Sequence, residues 1–506
     1  MLDKQIKYGA VISYVSLFIN IIIGLVYTPW MINSIGKSNY GLYTLAMSLI
    51  GLFVFDFGLS NAVTRFVSKY IAEGQHDRVN KLLGLVYKLY MIIDVVILIA
   101  IIVLFFFIPE IYKGLTPEEV ERFKSVYIIA GVFCVISFPL IPVNGIMSAN
   151  ELFVQIKTCD LIHKLLIVVS MSVCLLLGYG LMALILVNAI AGLFVTFLKL
   201  FIVRKNTNIH IDWHFWNQQE LYSIASFSGW VTVSALAQRC IFNLAPTILG
   251  ILSNSIDLAI LGIATTIEQY TYTFANALNG LFLPKISHLV ADNEDEMILP
   301  LMIKVGRFQI MVIGLICIGF IAVGLDFIRL WVGADYDLAY YCAVLFIIPC
   351  FFYLPQEIGL TTIVVKNEVK RQSYVYLLMA AINIALAIPL TQKFGVLGLA
   401  ISICAAYTIR TIGLDYIFKK YLRIDIRSFF HESFGQLSCP LIISLCICIL
   451  IYFLPIQLSW VSLLMKVLLC LTAYSVVMYT IGMNRDEKHM ILNSLKQIIF
   501  KRSLSD

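Results

Sequence analysis

Residues 40–74 read YGLYTLAMSLIGLFVFDFGLSNAVTRFVSKYIAEG, an apolar run that carries Asp56 and Arg65 and ends in a charged loop. The part from Leu42 to Leu59 is long enough to cross hydrocarbon as a helix, which takes roughly 20 apolar residues at about 1.5 Å of rise each. Asp56 stands inside that stretch. A carboxylate at such depth costs about 2.5–3.5 kcal/mol on insertion scales, so it faces a protein interior or a water-filled cavity and not lipid. The chain therefore encloses a polar interior.

The whole sequence extends this pattern. Of 506 residues, 60% are hydrophobic and only 13% charged, which is the composition of an integral membrane protein. Fourteen long apolar runs, the first centred near Ile21 and the last near Leu469, predict an all-α protein of fourteen transmembrane helices. An even number puts both termini on one side. The first run, Ala10 to Trp30, is longer than a signal-peptide core and lacks a small-x-small cleavage site, so it reads as a retained span. On one side of the membrane the loops hold only Lys37, Lys113, Arg122, Lys124, Arg329 and Lys393, while most of the 36 Lys and Arg fall on the side of the termini. By the positive-inside rule both termini and the even-numbered loops are cytoplasmic. Basic residues spread around every inner turn exclude nucleic acid as a partner. The twelve cysteines lie mostly within spans and form no CxxC pair, so they read as small packing residues.

Several other residues stand out against the apolar background. Asp94 lies near the middle of the third span, Leu82 to Ile108. The fourth span ends in Pro139, Pro142, Asn144 and Gly145, a cluster that frees backbone groups and needs protein or water to satisfy them. Glu118, Glu119 and Glu121 follow Thr116-Pro117 and read as a solvated helix start. Trp213, Phe215 and Trp216 suit a headgroup-level anchor on the inner connection. The seventh span, Ser228 to Leu252, holds Gln238, Arg239 and Asn243 before Pro246. Arg239 is about 15 Å deep by helical rise, near the bilayer midplane. Glu268 reaches a similar depth in the eighth span, Arg410 is placed to snorkel inward, and Lys466 is charged within the last pair. Gly36-Lys37-Ser38 is no phosphate loop, because Met31 stands where the earlier glycine is required. His210 and His214 lack a third ligand for zinc. No cofactor or metal is expected.

An internal repeat runs through the chain. VSKYIAE from Val67 answers ISHLVAD from Ile286 at an offset of 219, and Pro139 answers Pro355 at 216. Asn150-Glu151 recurs as Asn367-Glu368 at 217, and YGLMAL from Tyr179 recurs as FGVLGL from Phe394 at 215. A repeat of six spans keeps the orientation of both copies, as in parallel-repeat transporters with sites between the lobes. The expected division is an N-terminal lobe over 1–205, a C-terminal lobe over 206–425, and a terminal helix pair with a cytoplasmic tail over 426–506.

With these features assembled, the run from Tyr27 to Gly74, YTPWMINSIGKSNYGLYTLAMSLIGLFVFDFGLSNAVTRFVSKYIAEG, resembles the polysaccharide repeat-unit (O-antigen) flippases of bacteria. These belong to the multidrug/oligosaccharidyl-lipid/polysaccharide exporter superfamily. Asp56, Gly58, Leu59, Arg65 and Tyr70 fall on that run. The resemblance implies a multidrug-and-toxin-extrusion-like fold. It also implies that the chain carries undecaprenyl-diphosphate-linked oligosaccharide from the cytoplasmic to the outer leaflet for O-antigen, capsule or exopolysaccharide.

The residues fit such a cargo on chemical grounds. Arginine suits bidentate contact with a diphosphate, which assigns Arg239 to substrate, or alternatively to an ion pair with Glu268. Asn20, Gln238, Asn243, Asn276 and Asn279 offer hydrogen bonds to sugar hydroxyls. Asp56, Asp94, Glu268 and Arg65 are candidates for coupling or gating, with Asp56 alternatively a helix cap or a partner of Arg65. The partners expected are a polyprenyl-diphosphate-linked glycan, the lipid bilayer and a downstream polysaccharide polymerase. An ion-coupled multidrug or cation antiporter of the same superfamily is the alternative; it wants a carboxylate-dominated site without a buried arginine, and Asp56 and Asp94 keep it open. A membrane glycosyltransferase would need a carboxylate cluster at the membrane surface and longer outer loops, so no enzyme is expected.

Overall fold

The structure is a computed structural model that describes residues 23–56, 58–276 and 282–489. It is built from helices: α1 (23–35), α2 (Lys37–Phe53), α3 (Leu59–Ala72), α4 (His76–Ile111), α5 (Pro117–Ser137), α6 (Pro142–Ala149), α7 (Phe153–Leu176) and α8 (Leu181–Asn206). They are followed by α9 (Gln218–Phe242), α10 (Ala245–Leu252), α11 (Ser255–Asn276), α12 (Leu283–Ala291), α13 (Ile298–Trp331), α14 (Asp337–Tyr353) and α15 (Glu357–Val365). The last are α16 (Val369–Phe394), α17 (Val396–Lys420), α18 (Ile426–Phe430), α19 (Gln436–Tyr452) and α20 (Trp460–Val477). Among the described residues, eleven helices are long and apolar enough to cross a membrane. The other three expected spans differ for separate reasons. Most of the first lies outside the described residues, the second is broken in two, and α11 carries Asp257 and Glu268 among its threonines.

The chain divides into two compact units, the described parts of Met1–Thr266 with Val369–Arg410, and of Ile267–Glu368 with Thr411–Asp506. In the first unit α3 packs along α6, α7 along α8, and α9 along α16. Thr116 starts α5 with a capping box: its hydroxyl accepts from Glu119 N at 3.3 Å, and the Thr116 N–H returns to Glu119 Oε2 at 2.9 Å. The helix start is as expected, but Glu119 itself is buried and not solvated, while Glu118 and Glu121 remain exposed. Arg410 likewise does not snorkel inward as expected. It is buried, donates to the Tyr376 hydroxyl at 3.1 Å and lies over the rings of Tyr376 and Tyr407.

At the matched positions of the repeat the backbone behaves alike. A 3₁₀ turn carries Pro139 at Phe138–Leu140 and another carries Pro355 at Leu354–Gln356. Left-handed residues follow at Glu151 (φ 58°) and Asn367 (φ 57°), and again at Gly74 (φ 70°) and Asn293 (φ 57°). The backbone register is therefore Glu151 to Asn367, one position from the Asn-Glu pairing that sequence identity suggests.

The second unit is held by buried charges, of which the sequence marks Lys466 and not Arg307, Asp326 or Glu487. Arg307 of α13 is 3% exposed and bonds Glu487 through Nε at 2.6 Å and Nη2 at 3.1 Å. Its remaining edge donates to Gln436 Oε1 at 2.9 Å and to the carbonyls of Glu432 at 2.9 Å and Gly482 at 3.0 Å. Both carbonyls belong to π turns, His431–Gly435 and Met478–Gly482, where widened pitch frees backbone groups. Farther along α13, Asp326 accepts from Lys466 of α20 at 2.8 Å. Between these anchors pack Ile310, Ile318, Leu437, Leu441 and Tyr474. Removing one partner of a buried pair costs about 3–5 kcal/mol because the other charge is left unpaired. Arg307→Ala is expected to lower the melting temperature in detergent sharply, and Arg307→Met with Glu487→Leu to recover most of the loss.

Candidate functional site

The site begins where the expected helix over Leu42–Leu59 fails to continue. α2 stops at Phe53 and α3 starts at Leu59, after Gly58 in the left-handed region (φ 68°). The Phe55 N–H turns to Phe53 O at 3.0 Å and Gly58 N to Asp56 O at 2.7 Å. The carbonyl of Gly51 is thereby released from the helical ladder. At membrane depth a freed carbonyl must find a donor within the protein, and here the donor is Arg239 Nη1 of α9.

Arg239 is fixed by this break. Its guanidinium stands 4.7 Å above the Phe55 ring, and the nearby charge that acts on it is Asp56. Four residues along, Asn243 Nδ2 donates to Ser48 O at 3.3 Å. Asp56 Oδ1 accepts the Ser60 N–H at 3.0 Å, in the first turn of α3, and the Tyr90 hydroxyl at 3.0 Å. The carboxylate thus caps α3 and balances Arg239 at once. Arg239 is half-buried, and among the described residues its guanidinium makes no hydrogen bond beyond Gly51. A guanidinium carries further N–H donors in a fork geometry of the kind that matches a phosphate.

The candidate residues from the sequence divide accordingly. Asp56, Arg239 and Asn243 come together at the break. Gln238 is exposed on α9, and Arg65 is exposed on α3 and is not the partner of Asp56. Asp94 lies on α4 one turn beyond Tyr90, buried, with Oδ1 lacking a hydrogen-bond partner among the described residues. Glu268, in the second unit, is buried and accepts from Cys350 Sγ at 3.8 Å. Asn20 and Asn279 lie outside the described residues, as does the side chain of Asn276. Tyr90 escaped sequence reading. It lies on the same helical face as Asp94, but a tyrosine in an apolar span carries no mark of its partner. Asp415 also escaped. It lies toward the C-terminal end of α17 and pairs with Gln356 at the second 3₁₀ turn.

Comparison with known proteins follows the same lines. Residues 6–290 match the family described as "Polysaccharide biosynthesis protein", more than half of the chain. No curated protein matches the chain. Among solved structures, the chain is similar to the lipid II flippase MurJ in an inward closed conformation, at 16% identity and TM-score 0.69, covering 93% of this chain and 97% of that one. It is also similar to an inward-facing multidrug resistance MATE family transporter of the MOP superfamily, at 12% identity and TM-score 0.63, covering 81% and 98%. The Vibrio cholerae MATE transporter VcmN in the bent form matches at 17% identity and TM-score 0.54, covering 85% and 98%. The fold is that of the MurJ and MATE transporters.

Tyr90 tests how the break is held. Its ring packs 5.2 Å from Phe138, so Tyr90→Phe keeps the packing and removes the hydroxyl with its bonds to Asp56 and Ser60. A hydrogen bond to a charged group contributes about 1.5–3 kcal/mol. The variant is expected to melt several degrees lower in detergent, whereas Tyr87→Phe, on the same helix, is expected to melt as the parent does.

Proposed function

The chain belongs to the polysaccharide biosynthesis protein family, and from that premise we propose that it is a flippase for lipid-linked oligosaccharide. Its cargo is an undecaprenyl-diphosphate-linked repeat unit, carried from the cytoplasmic to the outer leaflet of the inner membrane by alternating access. Both termini lie in the cytoplasm. The lobes over 1–205 and 206–425 rock about the site, with the pair over 426–506 attached. A downstream polymerase receives the product for a surface polysaccharide.

The observation that carries this reading is Arg239 at the α2–α3 break, half-buried and held by one carbonyl, with donors in reserve. A diphosphate cannot cross hydrocarbon unaided, and a guanidinium at midplane depth supplies the charge-assisted pair that lowers that barrier. Asn243 and Gln238 offer hydrogen bonds to the first sugars, and Asp56 takes Arg239 back when the cargo leaves. A second reading, an ion-coupled multidrug antiporter, draws on Asp94, a buried carboxylate with an unpaired oxygen among the described residues. In either case Asp94 and Glu268 are the groups proposed to couple transport to an ion.

Mass spectrometry of polyprenyl-diphosphate-linked glycans from cells with and without the gene separates the two. Completed repeat units are expected to accumulate in the deletion strain. Restoring the gene as Arg239→Ala is expected to leave the accumulation in place, with partial relief from Arg239→Lys. A deletion strain with no accumulation would move the weight to the antiporter.

A further inference from the structure

The mechanism proposed above uses Arg239 at the end of α2 and leaves unexplained a buried carboxylate at the start of that helix. Glu119, 8% exposed, receives three donors on two oxygens. Ser38 Oγ donates to Oε1 at 2.5 Å, Ser255 Oγ to the same oxygen at 2.6 Å, and Thr116 N to Oε2 at 2.9 Å. One carboxylate therefore ties the starts of α2, α5 and α11. Ser38 and Glu119 belong to the proposed first lobe and Ser255 to the proposed second, yet all three lie within one compact unit.

Backbone contacts surround this tie. A Cβ on Gly41 would run into the Ser255 carbonyl, and one on Gly114 would run into the Ser253 carbonyl, so only glycine permits the approach. The Gly114 N–H donates to Gly250 O at 3.2 Å. Deeper along α2, Asn243 bonds Ser48 O and Arg239 bonds Gly51 O. Charge placement in the loops puts Lys37 and Lys113, and hence these helix ends, on the outer side. The contacts form one continuous seam from the outer surface down to Arg239.

We infer that this seam is the outer gate of the transporter and that Glu119 is its latch. The inference rests on the alternating-access reading. With the seam shut, Arg239 is screened from the outer side. To open it, α11 must leave α2 and α5, and the step that resists is the surrender of the Ser255 hydroxyl by Glu119. Hydrogen bonds to an ionised carboxylate are roughly twice as strong as neutral ones. Neutralising Glu119 therefore loosens the gate while leaving the Arg239 site intact.

The test is accessibility from outside. Gln238→Cys, exposed on α9 beside Arg239 and outside the seam contacts, serves as the reporter, labelled in intact cells with a membrane-impermeant maleimide against the parent protein as background. Labelling is expected to be low with Glu119 present. It is expected to rise about tenfold with Glu119→Gln, the shift that loss of a charge-assisted bond imposes on a two-state equilibrium. If Glu119→Gln does not fold, Ser255→Ala removes the same crossing bond and should act in the same direction. Oxidative crosslinking of Ser38→Cys with Ser255→Cys should return labelling to the low level even beside Glu119→Gln, and a reductant should release it. Labelling that stays low in both Glu119→Gln and Ser255→Ala overturns the latch. This readout contains no glycan, so it can fail while repeat units still accumulate in the deletion strain, and the reverse outcome touches only the cargo.

Discussion

A helix that stops inside hydrocarbon strands carbonyls and N–H groups that lipid cannot satisfy. Between Phe53 and Leu59 this chain stops one, and the rest of the first unit is arranged around the consequence. Gly58 turns the backbone, Asp56 caps the new helix, and Tyr90 holds the cap. The carbonyl left over at Gly51 recruits Arg239 from α9. A charge that would be prohibitive on an isolated span is tolerated because the break supplies both an acceptor and a counter-charge. Structural necessity and the proposed binding role thus share one side chain.

The second unit solves the same problem with the opposite sign of utility. Its π turns at His431–Gly435 and Met478–Gly482 free carbonyls, and Arg307 consumes them together with Glu487 and Gln436. No donor of that guanidinium is left over for a ligand. Arg307 and Arg239 are both buried arginines meeting freed backbone, and their saturation separates them: the first is a fastener, the second retains unused valence. Lys466 on Asp326 is another fastener. In a membrane, where apolar side chains gain little by leaving lipid for protein, such polar ties and close packing carry more of the helix association.

Much of the fold could be read in the sequence because bilayer thickness imposes a length on every span and loop charge imposes a side. Arg239 and Asp56 stood out for a related reason, since a charge inside an apolar run is conspicuous wherever it lies. What escaped was lateral: which helix faces which. That Arg239 meets the Gly51 carbonyl of α2, and Asp56 the Tyr90 hydroxyl, depends on azimuth, which packing sets and no hydropathy profile contains. Glu119 was misjudged for a related reason. A Thr-Pro-Glu-Glu helix start looks the same whether its face is solvated or covered, and here α2 and α11 cover it.

The glycine-lined seam has a consequence for speed. A joint built of long side chains must freeze many rotamers each time it closes, at up to about 2 kcal/mol for each such residue. Where Gly41 meets the Ser255 carbonyl and Gly114 meets the Gly250 carbonyl, almost nothing is frozen. Such a joint loses little entropy on closing and needs little enthalpy to hold, so its open and closed forms can lie close in free energy with a low barrier between them. A carrier that cycles needs surfaces that part as readily as they meet, and bare backbone provides them.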